Sequence, residues 1–94
     1  MSVDDTTLRR LKMRSMRRGM REMDLILSAW AETRLATLSP EEVATYEAFL
    51  NENDQDLYRW ISGQEPAPPV YAGLVTDIAA VTKERAESAK SDII

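Results

Sequence analysis

An apolar residue returns at every third or fourth position between Met20 and Leu35, and this spacing constrains the fold more than any other feature of the chain. The residues of this stripe are Met20, Met23, Ile26, Leu27, Trp30, Ala31 and Leu35. A stripe of this period lies along one side of an α-helix and needs another element to cover it. Nowhere does the sequence show the apolar–polar alternation that is typical of strands. The pattern therefore predicts an all-α protein whose helices cover one another's apolar faces.

Signals at helix ends place one more helix on each side of this stripe. The first helix is expected from Asp5 to Met16, where acidic residues at the start favour the positive end of the helix dipole. The third helix is expected to begin with Ser39 as its N-cap, because Pro40 follows at the first helical position and Glu42 completes a capping box. This helix is expected to stop at Asn51.

A proline-rich loop separates the last two helices. Asn53 or Asp54 is expected to cap the fourth helix, and Gly63 is expected to follow its end in the C′ position, where a positive φ is favoured. Three prolines among residues 66–69 predict a loop, because proline fixes φ and lacks an N–H donor. The last helix is expected to begin near Pro69 or Val70, and its tail from Lys83 to Lys90 is expected to continue as exposed helix that frays toward Ile94.

These helices are expected to form one domain over residues 1–94, near the low end of what folds alone. We predict a compact bundle of five short helices over residues 5–82, followed by an exposed or fraying C-terminal tail over residues 83–94. The core is expected to contain the aromatic residues that lie on apolar stripes, which are Trp30, Tyr46, Phe49, Trp60 and Tyr71.

The chain has neither cysteine nor histidine. This composition excludes disulfides, thiol nucleophiles, histidine general bases and the usual zinc sites. The three glycines are widely separated, so the sequence contains no phosphate-binding glycine loop. From composition alone an enzyme that uses carboxylates, lysine or tyrosine is still possible, but few catalytic residue types are present, and we expect no metal site.

Charge is divided unevenly along the chain, although the net charge is only −4. Residues 9–24 carry seven positive and two negative charges, whereas residues 32–65 carry eight negative and two positive ones. Clustered arginines are one way to contact phosphates, but the basic segment has no aromatic residue for stacking bases, and we expect no nucleic acid as partner. The alternative is a solvated basic helix whose arginines pair with the acidic half of the same domain.

Gly19 interrupts the basic segment. A glycine inside a helix costs roughly 1 kcal/mol relative to alanine, so Gly19 is expected to mark a break between the first two helices. In a continuous helix Arg18 and Glu22 would form an i,i+4 pair, but such a pair gives no reason for the glycine. A glycine also permits another molecule to approach the main chain closely. We therefore predict that a partner docks at this segment.

The same segment resembles a known family. Residues 17–24 (RRGMREMD) are similar to the RRGMRE-x-D core of the succinate dehydrogenase flavinylation factors, or FAD assembly factors, whose shorter signature is RGxxE. Residues 38–42 (LSPEE) fall where that family opens its next helix, and residues 54–61 (DQDLYRWI) are similar to its D-x-D-L-[aromatic]-x-W-[aliphatic] segment. Together these segments extend the resemblance from Leu8 to Val81.

The resemblance implies a five-helix bundle and a function that composition does not reveal. Proteins of this family bind the flavoprotein subunit of succinate dehydrogenase, and in bacteria of fumarate reductase, and promote covalent attachment of FAD to a histidine of that subunit. The resemblance implies that FAD belongs to the flavoprotein, and that this chain binds no cofactor directly and is not itself an enzyme. The partner-binding residues implied by the RGxxE surface are Arg18, Gly19 and Glu22, with Arg14, Arg17, Arg21 and Asp24 nearby in sequence.

Location and oligomeric state are expectations of the same kind. The N-terminal residues lack a secretory signal, and no apolar run reaches the ~20 residues of a membrane span. We expect a cytoplasmic protein that is not inserted in a membrane and is monomeric when free. The chain departs from the mitochondrial members of the family in showing no presequence, which suggests a bacterial form. The alternative functions are an antitoxin-type regulatory interaction protein and, less favoured, a nucleic-acid-binding protein.

Overall fold

The computed structural model describes residues 4–93, with side chains described for residues 4–86. Over this range the chain forms five α-helices and no strand, which confirms the all-α prediction. The helices are α1 (Asp5–Met16), α2 (Arg21–Arg34), α3 (Pro40–Leu50), α4 (Asp54–Ile61) and α5 (Pro69–Ile93). A 3-10 turn, Leu35–Thr37, follows α2 directly, so the apolar stripe that was expected to be helical to Leu35 ends in this turn.

The end signals of α3 and α4 act mostly as predicted. Ser39 accepts a hydrogen bond from the Glu42 N–H at 3.2 Å, and the Ser39 N–H donates to Glu42 Oε1 at 2.9 Å, so the capping box is complete. Gly63 has a φ of +83°, as expected after the end of α4. Asn53 caps α4 by accepting from the Gln55 N–H at 2.8 Å. The prediction of Asp54 as an alternative cap is therefore wrong, and its carboxylate serves elsewhere.

The last helix is longer than the other four. Four of the five helices are short, but α5 has 25 residues and its backbone stays helical through Ile93. Residues 83–86 are exposed, and Nη2 of Arg85 lies 3.5 Å from Oε2 of Glu32 on α2. The predicted fraying at Ile94 lies outside the described residues. No helix in the described range combines the length and apolar content needed to cross a bilayer.

A chain of aromatic rings connects four helices through the core. Trp30 on α2 contacts Tyr46 on α3 with ring centroids 4.6 Å apart, and Phe49 on α3 lies 5.3 Å from Tyr71 on α5. Trp60 on α4 completes the chain at 5.9 Å from Tyr71. Four of the five predicted core aromatics are buried, and the fifth, Trp60, is half-buried against them.

A buried polar pair joins α1 to this aromatic chain. The Ser15 hydroxyl donates to the Leu11 carbonyl at 2.8 Å and lies 2.5 Å from the Tyr46 hydroxyl. Leu11 and Ser15 are fully buried, one helical turn apart, and they define the inner face of α1. Met13 and Met16 lie off this face and remain about half exposed, at 46% and 51%.

Tyr46 makes the stability of the bundle sensitive to alkaline pH. Burial raises the pKa of Tyr46 to about 12, although its hydrogen bond with Ser15 and the nearby arginine charges act in the opposite direction. A raised pKa means that this group's contribution is complete below about pH 10 and is lost as pH rises toward 12. Between pH 9 and 11.5 the loss amounts to about 2 kcal/mol. Urea denaturation at pH 9 and at pH 11.5 measures the free energy of unfolding. Between these pH values, Tyr46→Phe is expected to lose about 2 kcal/mol less than the wild type. Equal losses in the two proteins would contradict the raised pKa of Tyr46.

Candidate functional site

The helical backbone breaks between α1 and α2, over residues 17–20, which we call the linker. Arg17 and Met20 have non-helical ψ angles of 63° and 126°. This confirms the prediction that Gly19 marks a break between the first two helices. It also means that Arg18 and Glu22 do not form a helical i,i+4 pair. The φ of Gly19 is not positive, so backbone conformation alone does not require glycine at this position.

The Arg18 side chain points into the protein and is only 10% exposed. Its Nε donates to Oδ1 of Asp54 at 2.7 Å, and Nη2 lies 2.7 Å from the same oxygen. Nη1 donates to the Leu50 carbonyl at 2.9 Å, and Nη2 reaches the Glu52 carbonyl at 3.4 Å. These bonds hold the linker against the turn between α3 and α4. The charge-assisted bonds of Arg18 are thus made with its own chain.

Gly19 shares the same carboxylate. Its N–H donates to Oδ2 of Asp54 at 2.8 Å, so both oxygens of Asp54 bind the linker. A Cβ built on Gly19 would lie 3.3 Å from Oδ2, which is closer than ordinary van der Waals contact. The sequence predicted that glycine permits close approach to the main chain. The structure identifies one group that approaches it, the carboxylate of Asp54.

Three arginines spaced four residues apart face α3 and the turn that follows it. Arg10 forms two hydrogen bonds with the Glu47 carboxylate at 3.2 and 3.3 Å, and Arg14 donates to Asn51 Oδ1 at 2.5 Å. Arg18 completes the row. The Arg10–Glu47 pair is about half exposed, so water screens it and it contributes little to stability. The prediction that basic residues pair with the acidic half of the domain is confirmed for Arg10 and Arg18.

The remaining residues of the predicted site lie at the surface or close to it. Arg17, Arg21 and Glu22 are exposed, and in the described part of the chain no ion pair involves Glu22. Asp24 is half-buried, and its Oδ1 is buried without a hydrogen-bond partner among the described residues. Glu22 occupies the first turn of α2, where a negative charge is stabilised by the helix dipole.

Apolar side chains are exposed beside these charges. Met13, Arg14, Arg17 and Arg18 line a shallow notch of about 240 Å³ at the end of α1. Met16, at the same helix end, is 51% exposed, and Leu25, in the second turn of α2, is 63% exposed. Exposed methionine and leucine beside arginines are typical of a protein contact surface, because such surfaces are rich in Met and Arg. We call Met13, Met16, Arg17, Gly19, Arg21, Glu22 and Leu25 the linker surface.

Sequence reasoning missed the importance of Asp54 at this site. Asp54 lies in residues 54–61, a segment that resembles the family, but the only role predicted for its side chain was helix capping. Its contact with Arg18 spans 36 residues of sequence, and no local pattern encodes such a pairing. The sequence did contain one signal. Asn53 and Asp54 were both candidates for the N-cap, and because α4 needs only one of them, the other side chain was available for a different contact.

The fold and this surface define a small helical bundle with an exposed, mixed basic and apolar contact face. The family model described as flavinator of succinate dehydrogenase matches residues 9–82 of the chain. The protein therefore belongs to this family, as the RGxxE resemblance predicted.

Individual relatives agree with the family match. The chain is 38% identical over 81 residues to succinate dehydrogenase assembly factor 2, mitochondrial, of Drosophila grimshawi, covering 84% of this chain and 53% of the relative. The protein of the same name from Danio rerio is 38% identical over 84 residues, covering 86% and 53%. That from Aspergillus terreus is 44% identical over 64 residues, covering 67% and 22%. The chain thus spans about half the length of the fly and fish relatives.

Proposed function

We propose that this protein is an assembly factor that binds the flavoprotein subunit of succinate dehydrogenase and promotes covalent attachment of FAD to it. The observation that carries the proposal is the family match over residues 9–82, which includes the whole linker and its RGxxE residues. The names of the relatives, succinate dehydrogenase assembly factor 2, support the same function.

The linker surface is where we propose that the flavoprotein subunit docks. Glu22 is an exposed carboxylate without an ion-pair partner in the described structure, so it is free to accept charge-assisted hydrogen bonds from a partner. Met13, Met16 and Leu25 offer apolar area that would be removed from water on docking. The exposed Arg17 and Arg21 would favour acidic groups on the partner.

This chain would assist flavin attachment by positioning rather than by chemistry. It has no histidine and no cysteine, so the histidine that receives FAD belongs to the flavoprotein subunit. Holding that histidine and the flavin in one geometry lowers the entropic part of the barrier, which is a proximity effect. The chain itself would bind no FAD and act as a non-enzymatic factor.

Co-expression with the flavoprotein subunit tests the proposal. The subunit is produced with and without this chain, denatured, separated by electrophoresis and read for flavin fluorescence, which survives denaturation only when FAD is covalently attached. We expect strong fluorescence with this chain and little without it. Equal fluorescence in both samples would reject the proposal.

Substitution of Glu22 tests the docking surface. Glu22→Gln removes one charge at nearly constant shape, and we expect the dissociation constant for the flavoprotein subunit to rise about tenfold, because a charge-assisted bond at the interface is weakened. Isothermal titration calorimetry measures this change. Glu41→Gln is the matched control, since Glu41 is also exposed and occupies the same position in the first turn of α3. Equal effects of the two substitutions on the dissociation constant would show that Glu22 is not part of the docking surface.

Finer points stay proposals. Fumarate reductase as a second partner, a cytoplasmic location and a monomeric free state rest on the resemblance and on sequence, while the relatives' names say mitochondrial. The family match and these relatives give no support to the antitoxin-type alternative. Exclusion of nucleic acid stays a prediction, and it agrees with the use of Arg10, Arg14 and Arg18 in contacts inside the bundle.

A further inference from the structure

Asp54 binds the linker with both carboxylate oxygens although nothing in its own helix requires it to do so. Asn53 supplies the cap of α4, which leaves the Asp54 side chain free. Oδ1 accepts from Arg18 and Oδ2 accepts from the Gly19 N–H, at 2.7 and 2.8 Å. The carboxylate is 17% exposed, so water screens these bonds less than it screens the surface pairs of α1.

The start of α2 has no comparable support of its own. Its N-cap is Met20, whose side chain forms no capping hydrogen bond. The first turn of α2 carries Glu22, and the linker carries Gly19, so the position of both depends on what fixes residues 17–20. Asp54 holds two consecutive residues of that linker from across the bundle.

We propose that Asp54 is the positioning residue of the linker surface, and that Arg18 contributes to partner docking through Asp54 rather than by touching the partner. The proposal rests on the proposed function, because it concerns how the docking surface for the flavoprotein subunit is kept in shape. Arg18 is almost covered and its donors are used by Asp54, Leu50 and Glu52, so it has little to offer an incoming molecule. A Cβ at Gly19 would lie 3.3 Å from Oδ2, so the carboxylate would have to shift by a few tenths of an ångström to admit it.

A double-mutant cycle on binding separates the two roles of Arg18. Asp54→Asn keeps the shape but has a single carbonyl oxygen, so either Arg18 or the Gly19 N–H faces an NH₂ group. Arg18→Lys keeps the charge, but one ammonium cannot reproduce the planar set of bonds to the carboxylate and two carbonyls. If Arg18 acts through Asp54, each substitution weakens binding of the flavoprotein subunit about tenfold, and the double substitution weakens it about tenfold as well.

The cycle is measured at a temperature where circular dichroism shows that all variants are folded. A double variant weakened about a hundredfold, the product of the single effects, would mean that Arg18 and Asp54 act independently and would overturn the proposal. So would variants with lower melting temperatures and unchanged dissociation constants, because Asp54 would then have a purely structural role. Glu41→Gln combined with Asp54→Asn is the control, for which we expect the effect of Asp54→Asn alone, because Glu41 lies on α3 outside the linker surface.

Amide exchange of Gly19 tests positioning without any partner. In the free wild-type protein the Gly19 N–H is expected to exchange slowly, and in Asp54→Asn about tenfold or more faster, while amides in the middle of α2 and α3 keep their rates. Unchanged exchange at Gly19 would overturn the proposal even if binding were affected. A wild-type protein that fails to bind the flavoprotein subunit would reject the proposed function instead, and the exchange experiment would still decide whether Asp54 holds the linker.

Discussion

Replacing Gly19 by arginine is expected to abolish covalent flavin attachment to the flavoprotein subunit while leaving the bundle folded. Gly19 is exposed, so the long side chain projects into the space that the partner would occupy. Its Cβ also lies within 3.3 Å of Asp54 Oδ2 and displaces the carboxylate that holds the linker. Weakening these bonds costs about 1–2 kcal/mol, a minor part of the roughly 5–15 kcal/mol of a typical domain.

The matched control is Gly73→Arg. Gly73 is exposed on α5, and a Cβ there has no neighbour within 4 Å. It lies in a groove beside Arg34. Arg34 is at the end of α2 that is farthest from the linker, about 20 Å away by helix geometry. We expect full flavin fluorescence in the co-expressed flavoprotein subunit with Gly73→Arg and none above background with Gly19→Arg. Wild-type fluorescence with Gly19→Arg would exclude the linker from docking.

A smaller substitution separates the two effects of the arginine. Gly19→Ala adds only the Cβ that crowds Asp54 and almost no bulk toward a partner. If the contact with Asp54 matters, Gly19→Ala reduces binding in part, because the carboxylate must shift by a few tenths of an ångström. If only bulk matters, Gly19→Ala binds like the wild type. Isothermal titration calorimetry with the flavoprotein subunit, as for Glu22→Gln, measures the dissociation constant and decides between these two outcomes.

Local chemistry was sufficient to predict the fold of this chain closely. The capping box at Ser39, the positive φ at Gly63 and the start of α5 at Pro69 each depend on residues that are near neighbours in sequence. The sequence also predicted that α5 continues as helix past the last apolar position of its stripe. Polar helix formers continue it, and Arg85 reaches Glu32 on α2, a contact that spans more than fifty residues.

From the sequence, the site could be predicted only as a segment of the chain and not as an arrangement of side chains. The sequence located the linker and its RGxxE residues, but it implied a partner contact for Arg18 and did not predict which of Arg17 and Arg18 turns inward. Which of the two turns inward depends on where α1 ends and on the position of the turn after α3, and both are set by tertiary packing. The same is true of Asp54, whose carboxylate had a local use as a cap that the fold assigned to Asn53 instead.

Arg18→Met is expected to lower the free energy of unfolding by about 2–3 kcal/mol, whereas Arg17→Met changes it by less than about 0.5 kcal/mol. The first substitution keeps the apolar stem but removes every donor to Asp54, Leu50 and Glu52, leaving a carboxylate that is 17% exposed without its counter-charge. The loss is below the value for a fully buried pair because water still reaches part of that carboxylate. Arg17 is exposed, so its substitution removes only a solvated charge.

Urea denaturation of the two methionine variants measures this difference between neighbouring arginines. Adding Asp54→Asn to Arg18→Met is expected to recover part of the lost stability, because the neutral amide no longer needs the missing guanidinium. Equal midpoints for Arg17→Met and Arg18→Met would show that Arg18 does not anchor the linker. Arg18 would then be available to a partner, as the family resemblance alone implied. A large difference with partial recovery would place its main interaction inside the bundle and leave Glu22 as the charged group of the RGxxE motif that faces outward.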